Sequence, residues 1–149
     1  MTAKPASSTK QLLRASSDDQ AAMTFPLPDS GFGFHAQQAV EKLYKALIVS
    51  RTGNHPHKHD LKALRERVES LGFRLPLCGF NLERLSEYAG DARYDEPIPL
   101  AEEERLLLRT CVAELRAYVL TQTDAGDKLD ATPDSQTPTD TNDKTGKQL

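Results

Sequence analysis

The residues with the most chemistry in this chain crowd into one stretch. Arg51 and His57 enclose five residues, and His55, His57 and His59 alternate along the same segment. A guanidinium keeps its charge at any physiological pH, whereas an imidazole titrates near neutrality. Together they supply a cation for a developing oxyanion and a group that gives or takes a proton. Pro56 prevents a continuous helix through His57, so Thr52 to Pro56 reads as a loop. His59, at the entry to the next helix, can donate to a neighbouring carboxylate or to a ligand phosphate. The H-x-H-x-H pattern also suits a metal on extended chain, but no cysteine or further histidine is nearby. An exposed basic loop is the simpler reading, and neither a metal nor another cofactor is expected.

Two further groups suit an anionic or planar ligand. Helical spacing puts Gln38, Lys42 and Lys45 on one polar stripe, offset from the leucines of the same segment. Two ammonium groups beside a carboxamide suit a phosphate and a base edge. The competing reading is a solvated face on which Glu41, four residues before Lys45, forms an ion pair with it. Arg93-Tyr94 offers a guanidinium and a phenol for phosphate pairing and base stacking. There the competing reading is a loop pinned by Asp91, Asp95 or Glu96.

Helices must position all of these. Ala36, Val40, Leu43 and Leu47, widened by Ala39, Tyr44 and Ile48, predict a core helix over 34–50 that ends at Thr52-Gly53-Asn54. A poorer stripe over 8–24 predicts a helix ended by Pro26 and Pro28. Asp60 caps a helix carrying Leu61, Leu64, Val68 and Leu71. The apolar stretch from Leu75 to Phe80 covers the core, and Asn81 caps a short helix through Leu82, Leu85 and Tyr88. Pro99 and Glu102 to Glu104 open a long last helix, with Leu108, Val112, Leu115 and Val119 inward. No strand alternation is present. The expected class is all-α, an antiparallel bundle of four to five helices with a disordered C-terminal tail.

Composition bounds the rest. A chain of 149 residues with 38% hydrophobic and 28% charged residues fits one domain. Its organisation reads as a flexible N-terminus (1–7), a helical domain (8–121) and an acidic tail (122–149). The tail holds six Asp and three Lys, which accounts for the whole net charge of −3. It has too few large apolar residues to offset its ordering entropy. Residues 34–75 carry eight Lys/Arg against four Asp/Glu and all four histidines, so the middle of the chain is basic. No apolar run is long enough for a membrane span, and the polar start lacks a signal-peptide core, so a cytoplasmic protein is expected. Cys78 and Cys111 sit among apolar neighbours and read as buried free thiols rather than a disulfide.

Taken together, FHAQQAVEKLYKAL followed by HKHDL resembles the second helix of HEPN domains (higher eukaryotes and prokaryotes nucleotide-binding). The family pattern A-Q-Q-A-x-E-K-x-x-K-A is matched by Ala36, Gln37, Gln38, Ala39, Glu41, Lys42, Lys45 and Ala46. His59-Asp60-Leu61 is also typical. Tyr88 followed by Arg93-Tyr94 is similar to the family's R-Y-P element, although Asp95 and Glu96 separate Tyr94 from Pro97. The likeness runs from about residue 8 to 121. It implies a five-helix bundle that dimerises and is often encoded beside a minimal nucleotidyltransferase as a toxin–antitoxin-like pair. Some branches are metal-independent ribonucleases with an R-x4-6-H motif at the dimer cleft, a count that Arg51 and His57 satisfy. Three functions follow as expectations. The first is a homodimer that binds nucleotide or RNA through Gln38, Lys42, Lys45, Arg93 and Tyr94, and pairs with a nucleotidyltransferase. The second is a ribonuclease using Arg51 with His57 or His59, and the third a non-catalytic protein-interaction module.

Overall fold

The computed structural model describes residues 5–54, 56–89 and 99–123. Among them lie helices α1 (Pro5–Ala22), α2 (Asp29–Thr52), α3 (Leu61–Ser70), a 3-10 helix (Leu82–Tyr88) and α4 (Glu102–Thr123), with no strand. The all-α class predicted from the periodicity is the class that forms. The expected tail lies, from residue 124 on, outside the described residues.

α2 is the centre of the bundle. From Ala39 to Val49 every residue except Lys42 is buried, which happens only when neighbours pack on all sides of a helix. It starts five residues before the apolar spacing predicts. Asp29 places a carboxylate at the positive end of the helix, and Arg105 Nη2 binds that carboxylate at 2.7 Å. Gly33 is tolerated in the helix because packing demands it: a Cβ there would lie 2.4 Å from the Tyr88 ring. Gly53, at φ 86°, ends the helix with its N–H on the Val49 carbonyl.

α1 explains its own weak stripe. Thr9, Leu13, Ser16 and Asp19 are buried along it at helical spacing, with Met23 just past its end, and three of the four are polar. α4 lies antiparallel to α1, as three arginine contacts show. Arg105 donates to the Leu27 carbonyl, Arg109 to that of Met23 and Arg116 to that of Leu13. α4 buries the predicted Leu108, Val112, Leu115 and Val119, and Glu104 accepts from the Ala101 N–H at its start.

The segment after α2 sets the geometry of the site. The described residues between Gly53 and Asp60 run back along α2, a span that eight residues of extended chain, about 26 Å, can cover. α3 therefore follows α2 in the same sense: His59 meets Glu41, and Leu71 meets Arg51. Asp60 caps α3 through the Lys62 N–H, and Asn81 caps the 3-10 helix through that of Glu83, as the sequence predicts.

The connection from Leu71 to Asn81 corrects one expectation. Cys78 and Cys111 are joined in a disulfide rather than being free thiols. The connection crosses α4, bringing the two Cα atoms to 5.6 Å, a separation no sequence pattern indicates. Phe73 and Phe80 are buried on either side, while Leu77 stands in solvent instead of covering the core. No helix among the described residues is long and apolar enough to cross a membrane.

Candidate ligand site

The polar stripe of α2 is built around a buried carboxylate. Glu41 Oε1 accepts from Gln37 Nε2 at 3.0 Å, and Glu41 Oε2 accepts from Lys45 Nζ at 3.0 Å. The same Oε2 lies 2.8 Å from His59 Nδ1. Gln37 also donates to the His59 carbonyl and accepts from Gln38 Nε2 at 2.7 Å. Glu41 and Lys45 are 6% and 7% exposed at their side chains, so this ion pair works in a low dielectric. Burial is the largest influence on the Glu41 carboxyl and pushes its pKa up; His59, Lys45 and Gln37 together outweigh it and hold the group below its ordinary value. On the flank of α2 nearest Arg65, burial pushes the Tyr44 phenol up to about 12.

One turn away the same logic recurs between helices. Asp19 of α1, itself buried, takes His35 Nδ1 at 2.9 Å and the Lys42 ammonium. Of the expected ligand-binding residues, Lys42 and Lys45 are therefore each neutralised by a carboxylate, and Gln38 is held by Gln37. Arg93, Tyr94 and His55 lie outside the described residues.

Arg51 and His59, two of the proposed acid–base residues, lie at opposite ends of α3. Arg51 donates to the Leu71 carbonyl at 2.8 Å and stacks on the Phe73 ring at 4.1 Å, at the C-terminal end of α3. His59 sits at the N-terminal end of that helix. Ten helical residues separate the two ends, about 15 Å. His57 is exposed in the intervening loop. His59 is chemically the best placed of the three: Glu41 orients its Nδ1, while the ring is 73% exposed. A carboxylate-oriented imidazole open to solvent can donate to, or take a proton from, a bound oxyanion.

The open ground lies beside this array. A cavity of about 420 Å³ separates the C-terminal half of α2 from the returning loop and α3. Ile48, Ala63 and Leu64 give it an apolar floor; Thr52, Asn54, Lys58 and Arg67 give it polar walls. Among the described residues no carboxylate lies within ion-pair distance of Lys58 or Arg67. Its volume lies in the range of small-molecule sites. The sequence sets these two cations apart only weakly, because Lys42 shares the same local pattern and is neutralised from α1. Neither Lys58 nor Arg67 has an acidic residue three or four positions away in the described chain, whereas Lys45 has Glu41. No group of His, Cys, Asp and Glu among the described residues is arranged to hold a metal.

An all-α bundle whose central helix carries a buried Gln–Glu–Lys array locked to a following His-Asp-Leu defines a class, and the comparison with known families agrees with it. The HEPN domain model matches residues 30–122, and the chain belongs to that family. Neither a curated protein nor a solved structure gives a significant match.

Proposed function

We propose that this HEPN protein binds a nucleotide or RNA in the cavity between α2, the returning loop and α3, acting as a homodimer paired with a minimal nucleotidyltransferase. The observation that carries the reading is the pair of unneutralised cations, Lys58 and Arg67, facing one cavity with an apolar floor. Phosphate oxygens satisfy the cations, and a base packs on Ala63, the accessible part of an apolar floor in which Ile48 and Leu64 are already buried. Thr52 and Asn54 add polar groups that can orient it. Binding needs no Arg51–histidine dyad, which favours this reading over a ribonuclease.

Calorimetric titration of the full chain with ATP, GTP and a short RNA tests it. Saturable binding is expected, weakened about tenfold or more, some 1.4 kcal/mol, in Lys58→Ala/Arg67→Ala. No heat with any of the three at high protein concentration sinks the proposal. The expected pairing with a nucleotidyltransferase is read by co-purification of the two proteins from one expression host.

A further inference from the structure

A second concentration of unneutralised charge lies away from the α2–α3 cavity, between α1 and α4. A groove of about 220 Å³ is lined by Lys10, Arg14 and Ser17 of α1, by Arg116 of α4, and by Leu13 and Leu120. Arg116 is the telling residue. It is half-buried, and its guanidinium donates from Nη1 to the Leu13 carbonyl and the Ser16 hydroxyl, both at 2.9 Å and both uncharged. Burial pulls its pKa down from the ordinary arginine value, with no acid beside it to offset the effect. Lys10 and Arg14 stand one turn apart on α1, a like-charge pair that is destabilising on a bare helix.

Carboxylates are available nearby in sequence but are not used. Asp18 lies four residues after Arg14 and Glu114 two before Arg116, yet both are exposed, and neither forms an ion pair among the described residues. Elsewhere on the same helices the fold neutralises its charges readily, as Asp19 does for Lys42 and Asp29 for Arg105. Three cations around one small groove thus stand out against the pattern of the molecule. A partly desolvated cation is stabilised most by an anion that also accepts hydrogen bonds.

We propose that the α1–α4 groove is an anion site for the phosphate end of a small ligand, a diphosphate or a phosphate monoester, with Arg116 at its base and Lys10 and Arg14 closing over it. The volume fits a compact polyanion better than a whole nucleotide, and Ser17 adds a hydroxyl donor. Leu13 and Leu120 leave room for only a short apolar stem. The site does not depend on the reading of the α2–α3 cavity, because no residue lines both.

Inorganic pyrophosphate, which has no base, separates the two sites. The full chain is titrated with it by calorimetry and amide NMR, at ionic strength held constant with sodium chloride. Saturable binding is expected, with shifts centred on Leu13, Ser17 and Leu120. Lys10→Ala/Arg14→Ala, which removes two surface side chains, is expected to weaken it about tenfold, while Lys58→Ala/Arg67→Ala leaves it unchanged. Thermal unfolding is expected to rise with pyrophosphate in the parent and not in the Lys10→Ala/Arg14→Ala chain. Absence of binding at millimolar pyrophosphate overturns the proposal. So does an effect reproduced by sodium chloride alone, or one abolished by Lys58→Ala/Arg67→Ala instead. Binding of an RNA lacking terminal phosphates, with none of pyrophosphate, replaces it with a nucleic-acid groove.

Discussion

Two neighbouring regions of the α2 surface use the same residue types to opposite ends. Along the inward stripe, Lys45 sits on Glu41 and Lys42 on Asp19, so each ammonium is neutralised before any ligand arrives. Across the C-terminal half of the helix, Lys58 and Arg67 border a cavity with no acid at ion-pair distance among the described residues. A lysine's position on a helix therefore says little about its role until its counter-ion is known. The first array fixes the backbone of the returning loop; the second keeps its charge available.

The sharpest way to break this contrast is to remove the carboxylate at the centre of the first array. Glu41→Ala leaves the Lys45 ammonium buried without a partner, and is expected to cost about 3–5 kcal/mol in a urea titration. Lys58→Ala, on the surface, is expected to change stability by less than about 0.5 kcal/mol. Similar costs for the two would erase the distinction. Acid titration gives a second view. The Glu41 pKa is depressed by folding, so its stabilisation is present above the ordinary glutamate range and lost as pH falls below it. The urea midpoint of the parent chain is expected to fall on acidification through that window. Asp29, held low by Arg105, contributes in the same direction, so Glu41→Gln should flatten the acid limb without abolishing it.

The disulfide sharpens the comparison on the outer side. It closes a loop spanning 33 positions between the α3–3-10 connection and α4, and cross-linking a loop of that length stabilises by about 3–4 kcal/mol in the chain-entropy treatment. In a reducing compartment the two cysteines exist as thiols. Reduction with a dithiol, or Cys78→Ser, is expected to raise amide hydrogen exchange across 71–81 while α2 amides around Glu41 stay protected. Equal loss of protection in both regions would show one cooperative unit instead of a rigid array beside a tethered connection.

How much of this could be read beforehand follows from which partners are local. The Asp60 and Asn81 caps, the Gly53 stop and the α4 leucines obey rules that act within one turn, and the sequence reading places them correctly. The Glu41–Lys45 pair is also local, four residues apart on one helix. The Lys42 contact is not local: no acid lies three or four positions from it, and its partner comes from α1, 23 residues earlier. The weak stripe of α1 has the same cause, because its inward face is spent on Asp19 and Ser16 rather than on leucines. The early start of α2 has no apolar spacing to announce it, because Gly31 and Gly33 carry no side chain and Gly33 is required only by the Tyr88 ring that packs on it. The disulfide depends on a chain crossing that no spacing encodes.

The smallest expected effect is also the most discriminating. Lys42 is a quarter exposed, and in its absence Asp19 keeps the contact with His35. Lys42→Ala is therefore expected to cost only about 1 kcal/mol, near the upper end for partly exposed ion pairs. If its ammonium is committed to Asp19, nucleotide or RNA affinity is expected to stay within about twofold of the parent, a change below 0.5 kcal/mol. Lys58→Ala/Arg67→Ala is expected to show the reverse, with stability kept and affinity lost. The opposite pairing of results, with Lys42→Ala folding normally but binding about tenfold more weakly, would mean that a ligand displaces Asp19 from Lys42. The inward stripe would then be the binding surface and the α2–α3 cavity a structural gap.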